Sequence, residues 1–180
     1  MNNQNFTEPL KYDNETFYYS KSIKNPNSPK YKKYVTFQWR KAWPLGRKGQ
    51  GRLIGNGPEI VEKITKILPK NILVRLVDTA SLTMIEQISL MRKTDYYIGV
   101  HGAGLFLGVF LPTTSILHEI SLIKKTNNLL FMSSLSGHKT FCDIWNATVI
   151  IKDESEYVYF DPDSVAESVL KHMKEVNFFS

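Results

Sequence analysis

The fold of this chain is indicated most clearly by residues 96–105, which read YYIGVHGAGL. The first five form a short apolar run, and such runs are typical of the buried strands of parallel sheets. Gly102 and Gly104 break the run, because glycine permits a tight turn and the close approach of a ligand to the backbone. An apolar helical pattern follows over 105–111. A buried strand, a glycine loop and a helix in this order predict one unit of an α/β sheet.

The same alternation continues on both sides of this stretch. Apolar and β-branched runs predict strands over 34–39, 71–77, 96–100, 115–120 and 147–151. Helical spacing and capping residues predict helices over 58–68 (capped by Asn56), 83–92 (a Thr83–Glu86 capping box), 105–111, 127–135 and 161–176 (Asp161 before Pro162). The pattern predicts a Rossmann-like, doubly wound parallel sheet. Ligands of such sheets bind beyond the carboxyl ends of the strands.

The chain of 180 residues has the length of one domain. Residues 1–33 are polar and contain the turn-forming run at 25–29, NPNSP, so we expect a polar arm or the remnant of a preceding domain. We expect residues 34–180 to form the α/β domain, with a long, glycine-rich, basic loop over 41–57.

Basic residues are concentrated in the first part of the chain. Residues 1–75 contain 15 basic and 5 acidic side chains, whereas residues 76–180 contain 8 and 12. Three of the five arginines, Arg40, Arg47 and Arg52, fall within thirteen residues. The guanidinium group binds phosphate with two parallel hydrogen bonds, so this cluster favours phosphate recognition. Charge alone leaves nucleic acid, an acidic lipid surface and a small phosphate-bearing ligand open.

Several other kinds of site are excluded by the sequence. It contains neither a Gly-x-Ser-x-Gly elbow nor a complete phosphate loop of the Gly-x-x-x-x-Gly-Lys-Ser/Thr type. The single cysteine, Cys142, stands in the apolar run FCDIW, and we expect it to be buried. Histidines 101, 118, 138 and 172 lack the i, i+4 spacing of zinc ligands. No metal site is therefore predicted.

Two places can contact a nucleotide. The loop His101–Gly104 precedes a helix, whose free N–H groups suit phosphate, although a tight turn with a hydrogen-bonded histidine gives the same pattern. Glu119 lies near the end of the strand 115–120, where a carboxylate can accept hydrogen bonds from ribose hydroxyls. It can equally pair with a lysine such as Lys124.

An ordered set of motifs resembles the carboxy-terminal core of glycosyltransferase family 61, whose members include plant xylosyl- and arabinosyltransferases and animal O-linked N-acetylglucosaminyltransferases. The matching elements are Glu86-Gln87, Thr94-Asp95, His101-Gly102-Ala103-Gly104-Leu105, Pro112 and Glu119-Ile120. Upstream, Arg52–Asn56, Glu59 and Arg40 match further family positions. The resemblance covers roughly residues 34–121, with a looser fit to the end.

The resemblance implies the carboxy-terminal half of a GT-B enzyme, the half that binds the donor. It implies inverting transfer of a sugar from a nucleoside diphosphate sugar to a hydroxyl of a glycan or protein. The arginine cluster beside the glycine loop, with no convincing pair of metal-binding carboxylates, predicts that uridine diphosphate binds without a metal, and no other cofactor is expected. Donor binding is assigned to Arg40, Arg52, His101, Gly102, Ala103, Gly104, Leu105 and Glu119. The catalytic base is not identified, and the other half of the enzyme can hold it.

Two alternatives remain at this point. A basic nucleic-acid-binding module would use the lysines together with Trp39 and Trp43, and a truncated transferase would fold without catalysing. The transferase interpretation expects no nucleic-acid partner. It also expects no membrane contact within this segment, because no stretch approaches the roughly 18 apolar residues of a membrane span.

The resemblance and sequons at Asn5, Asn14 and Asn146 favour the lumen of the secretory pathway, with the cytoplasm as the alternative.

Overall fold

The computed structural model describes residues 17–20, 23–39, 53–121, 136–144, 147–152 and 155–180. Within these ranges the strands are β1 (Phe17–Tyr19), β2 (Lys33–Trp39), β3 (Leu53–Ile54), β4 (Ile72–Asp78), β5 (Tyr96–Val100), β6 (Ile116–Ser121), β7 (Lys139–Ile144), β8 (Thr148–Lys152) and β9 (Ser155–Tyr159). The α-helices are α1 (Gly57–Ile67), α2 (Met84–Arg92) and α3 (Pro162–Glu175), and two 3₁₀ segments span Thr79–Ser81 and Ala103–Phe110.

The central sheet has six strands in the order β1-β4-β2-β5-β6-β7. The last five are parallel, and β1 is antiparallel to β4 at the edge. Counted in chain order, the parallel strands follow the order 2-1-3-4-5, so the order reverses between β2 and β5. This is the doubly wound arrangement, and the crevice at the reversal is where such sheets bind ligands.

Both faces of the sheet are covered. On one face, α1 and α3 bury an apolar cluster with the sheet, which includes Ile60, Ile64, Val169 and Phe37. On the other face, α2 and the 3₁₀ segment Ala103–Phe110 cover a smaller cluster. Because successive strand residues point to opposite faces, neighbouring positions of β6 contribute to different sides of the domain.

The strand predicted over 147–151 exists, but the expectation that it belongs to the parallel sheet is wrong. β8 pairs with β9 in an antiparallel hairpin, and β9 pairs with the short strand β3 in a separate three-stranded sheet. β-branched residues favour a strand without specifying its partner, so the local sequence did not distinguish a parallel strand from a hairpin.

The fifth parallel strand is instead β7, which the sequence did not predict. Its residues alternate between exposed and half-buried positions and include Lys139 and Asp143, as suits an edge strand.

Cys142 lies on this strand and is exposed, so the expectation of a buried cysteine is wrong. The apolar neighbours Phe141 and Ile144 suggested a core position, but the place of β7 at the edge leaves one of its faces open.

Helix boundaries agree with the sequence to within a few residues, and the Thr83–Glu86 capping box is present. The helix predicted over 105–111 is a 3₁₀ segment and not an α-helix. Asn56 precedes α1, but its side chain makes no capping bond to the helix. Its side chain instead exchanges two hydrogen bonds with the backbone of Phe160, at 2.7 and 3.2 Å, which tie the start of α1 to the segment before α3.

Two expected irregular segments contain strands. β1 falls within the polar arm predicted over 1–33, and its register sets Phe17 opposite Val77 of β4. β3 and the start of α1 fall within the loop predicted over 41–57. The helix predicted over 127–135 lies outside the described residues. No helix in the described part of the chain is long and apolar enough to cross a membrane.

Candidate functional site

The loop after β5 lies at the carboxyl edge of the sheet, as predicted. The N–H of His101 donates to the carbonyl of Ile120, at 2.9 Å, and so continues the pairing of β5 with β6. Gly102 then adopts φ 152° and ψ −179°, a conformation that is almost confined to glycine. This residue therefore turns the chain out of the strand and into the 3₁₀ segment.

Gly104 is required by a close approach to the neighbouring strand. A Cβ atom added there would lie 1.6 Å from Nε2 of Gln38. The Gln38 side chain is buried and donates to Oγ1 of Thr79, at 3.1 Å. From the other side, the Tyr97 hydroxyl donates to the carbonyl of Gly104, at 3.0 Å. The loop is thus fixed against β2 and β5, the two strands that flank the reversal of strand order.

The 3₁₀ segment presents two backbone donors at its start. Its first internal hydrogen bond runs from the N–H of Leu105 to the carbonyl of Gly102, at 3.0 Å. The N–H groups of Ala103 and Gly104 precede that bond and have no acceptor within the segment. Leu105 differs from its neighbours, because its N–H is already donated and its side chain is buried beneath the loop. Ala103 and Gly104 are therefore the backbone donors of this loop.

His101 and Glu119 form a hydrogen-bonded pair at the same edge. Nδ1 of His101 lies 2.6 Å from Oε1 of Glu119. The histidine side chain is 20% exposed, whereas the carboxylate is fully buried. The second oxygen, Oε2, has no hydrogen-bond partner among the described residues. Glu119 is thus paired with His101, and Lys124, the alternative partner, lies outside the described residues.

The pair follows from strand register. Gly99 of β5 is opposite Glu119 of β6. His101 follows Gly99 by two positions, so its side chain lies on the same face and contacts the carboxylate. Because the two nitrogens of imidazole lie on opposite sides of the ring, the contact at Nδ1 directs Nε2 away from Glu119. The carboxylate therefore fixes the orientation of the ring.

The comparison with protein families decides the relationship of this chain. The model of the family described as Glycosyltransferase 61 matches residues 1–117, about two thirds of the sequence. The chain belongs to glycosyltransferase family 61. Its general activity is accordingly that of a glycosyltransferase. No curated protein matches the sequence.

The matched range, residues 1–117, begins earlier than the family resemblance seen in the sequence, which starts at about residue 34. It also ends earlier, since the resemblance continues to about residue 121. It includes residues 1–33, where β1 lies, and the whole loop His101–Leu105. It ends two residues before Glu119. The carboxylate that holds His101 is therefore known from the structure and not from the family match.

Two motif elements of this family 61 chain support the scaffold. Nε2 of Gln87 donates to the carbonyls of Thr79 and Leu82, both at 2.9 Å, and so fixes the turn after β4. Oδ2 of Asp95 accepts from the N–H of Tyr34, at 2.7 Å, at the start of β2. These residues position the strands around the reversal.

The three clustered arginines, Arg40, Arg47 and Arg52, lie outside the described residues. The strands that bracket them are described. β2 ends at Trp39, immediately before Arg40 in sequence, and β3 begins at Leu53, immediately after Arg52. Nε1 of Trp39 donates to the carbonyl of Ile54, at 3.2 Å. The two ends of the basic segment are thus linked beside the carboxyl end of β2.

Proposed function

We propose that this chain is the donor-binding half of a GT-B glycosyltransferase that uses a uridine diphosphate sugar. The observation that carries the proposal is the His101–Glu119 pair, held at 2.6 Å beside the reversal of strand order. Doubly wound sheets bind nucleotides in this position. The buried Oε2 of Glu119 supports the proposal, because a buried oxygen without a hydrogen-bond partner is uncommon.

The diphosphate is the part of the donor that the loop fits best. The N–H groups of Ala103 and Gly104 can donate to phosphate oxygens, and Gly102 keeps the backbone accessible. Arg40 and Arg52 supply positive charge from the segment whose two ends are linked by Trp39. Charged donors around a departing diphosphate stabilise the negative charge that develops in the transition state. The diphosphate is bound by protein groups alone, without a metal ion.

His101 and Glu119 have linked roles. With its ring oriented by Glu119, His101 donates or accepts one hydrogen bond at Nε2 with the diphosphate or the sugar. Glu119 holds His101, and a ribose hydroxyl can donate to its Oε2 only when donor binding exposes that oxygen, which is buried in the free chain. Leu105 contributes to the donor site only by supporting the loop from below, since its side chain is buried.

The acceptor is a hydroxyl of a glycan or a protein, and the transfer inverts the anomeric centre. An inverting transfer needs a general base on the acceptor hydroxyl, and we assign that base to a second α/β half. The location that suits this function is the lumen of the secretory pathway, which agrees with the family relationship and with three N-glycosylation sequons in the sequence.

Calorimetry with uridine diphosphate tests the proposal. We expect binding by the 180-residue chain that persists after treatment with a chelator, and weaker binding of uridine. An oligonucleotide of the same total charge serves as the control for attraction to the basic segment. The proposal is wrong if the oligonucleotide binds and uridine diphosphate does not. Its metal-free part is wrong if the chelator abolishes binding while the chain stays folded and if the His172→Gln variant, which lacks a ligand of the metal site proposed below, loses binding on chelation in the same way.

A further inference from the structure

Three side chains that can bind a metal ion converge on the α3 side of the sheet. His118 lies on β6, Asp143 on β7 and His172 on α3, and one ligand atom from each lies within 4.8 Å of the others. His118 and Glu119 are consecutive in β6, so their side chains point to opposite faces. The group is therefore separate from the proposed donor site.

The two separations between an imidazole nitrogen and a carboxylate oxygen are close to those around a tetrahedral ion, and all three ligand atoms lie within 4.8 Å of one another. Nε2 of His118 lies 3.1 Å from Oδ2 of Asp143, and Nε2 of His172 lies 3.1 Å from Oδ1. Zinc bonds of about 2.0–2.1 Å place neighbouring ligand atoms roughly 3.3 Å apart in a tetrahedron. An ion can thus replace the two protons that the imidazoles share with the carboxylate, with a small rotation of Asp143. The Asp143 side chain is 24% exposed, which permits that rotation.

Each histidine also has an oxygen at its second nitrogen. Nδ1 of His118 lies 3.1 Å from the hydroxyl of Tyr96, and Nδ1 of His172 lies 3.5 Å from Oε2 of Glu175. Nδ1 of His172 makes no hydrogen bond within the described structure, so Glu175 lies near this nitrogen without bonding to it. A hydrogen-bond partner such as the Tyr96 hydroxyl orients a histidine that binds metal and strengthens it as a ligand.

The group opens on one side to a surface cleft. The cleft is lined by Asp143 and His172 together with Ser164, Glu167, Ser168 and Lys171. Three protein ligands leave the fourth ligand position of a tetrahedral ion open. Water from the cleft can fill it, or the hydroxyl of Ser168, which already donates to Asp143. The cleft therefore gives an ion access to Asp143 and His172, whereas His118 is fully buried.

We propose that His118, Asp143 and His172 form a zinc-binding site that fastens α3 to strands β6 and β7. Histidine nitrogen and carboxylate oxygen are common zinc ligands, and the three residues join elements that are distant in sequence. Their separation explains why local spacing predicts no metal site. The site is distinct from the donor diphosphate, which binds without metal.

Zinc binding by the 180-residue chain, measured by competition with a chromophoric chelator, tests this proposal. We expect one tightly bound ion per chain. Tyr96→Phe keeps the aromatic packing but removes the oxygen at His118, and we expect it to weaken zinc binding about 10–100-fold. Asp143→Asn and His172→Gln remove a ligand, and we expect a larger loss.

Two controls separate this site from other histidines. His138→Gln alters a buried histidine that bonds to the carbonyl of Gly108, and His101→Gln alters the proposed donor site. Both variants should keep zinc affinity within about twofold of the unaltered chain.

A second measurement does not depend on variants that fold. Cobalt added to the unaltered chain should give the visible spectrum of a tetrahedral ion and be displaced by one equivalent of zinc. The proposal is overturned if the spectrum matches aqueous octahedral cobalt, if no zinc binds, or if folded Asp143→Asn and His172→Gln bind zinc as the unaltered chain does.

Discussion

Gly104→Ala is the substitution whose effect follows most directly from the geometry of the loop. The added Cβ would lie 1.6 Å from Nε2 of Gln38 and 2.5 Å from its Cδ. Gln38 cannot simply swing away, because its side chain is 6% exposed and bonded to Thr79. Either the amide leaves its partner or the loop lifts from β2.

The expected cost has two parts. Overpacking in a closely packed region costs about 1–3 kcal/mol, and loss of the bond between Gln38 and Thr79 adds about 1 kcal/mol. Replacement of glycine by alanine offsets roughly 0.4–1 kcal/mol by restricting the unfolded chain. We therefore expect Gly104→Ala to lower the free energy of unfolding by about 1–3.5 kcal/mol. We also expect weaker binding of uridine diphosphate, since the loop carries the donor amides.

Urea unfolding of a double-mutant cycle with Gln38→Ala provides the assay. Removing the amide group removes the atoms that the new Cβ would meet, so Gly104→Ala should cost less in the Gln38→Ala background, by about 2–4 kcal/mol. Ala103→Ser, at an exposed neighbouring position, should change stability by less than about 0.5 kcal/mol. Equal costs of Gly104→Ala in the two backgrounds would refute the close approach.

Three further predictions follow from other contacts. Glu119→Gln removes the charge from the bond to His101, and calorimetry should show about tenfold weaker binding of uridine diphosphate, about 1.4 kcal/mol; unchanged affinity would exclude Glu119 from the site. Arg52→Ala should weaken binding of uridine diphosphate by about 2 kcal/mol and leave uridine binding unchanged, so an equal loss for both ligands would separate Arg52 from the diphosphate. Burial, the hydrogen bond to Glu62 and the negative charge of Glu62 raise the pKa of Tyr18 from 10.0 to about 12. The Tyr18 hydroxyl therefore contributes fully to stability below pH 10, and this contribution is lost as pH rises towards 12. In Tyr18→Phe the free energy of unfolding should fall less steeply with pH between 10 and 12, and an unchanged slope would contradict this reasoning.

The parts of the fold that the sequence predicts are those specified by neighbouring residues. The apolar run at 96–100 and the capping box at Thr83 and Glu86 are local signals, and both elements form as expected. β7 was missed because an edge strand needs only one apolar face, so its pattern is weak. β8 was placed in the wrong sheet because strand propensity does not specify which strand is the partner.

The candidate site was predictable only in part. The loop at 101–104 is marked by its glycines, and its position at the edge of the sheet follows from the parallel topology. The bond between His101 and Glu119 depends on the register of β5 against β6, which single residues do not encode. His118 and His172 meet only because α3 packs on the sheet after the chain has passed through β7. Contacts of this range require the folded structure.

Hydrogen exchange of the loop amides tests the central claim most directly. The N–H groups of Ala103 and Gly104 have no acceptor within the 3₁₀ segment, so they should exchange rapidly with deuterium in the free chain. If they donate to the donor diphosphate, uridine diphosphate should slow their exchange, whereas uridine should not. Mass spectrometry of peptides that cover residues 101–110 measures this difference. Rapid exchange at Ala103 and Gly104 in the presence of saturating uridine diphosphate would contradict the proposed donor site.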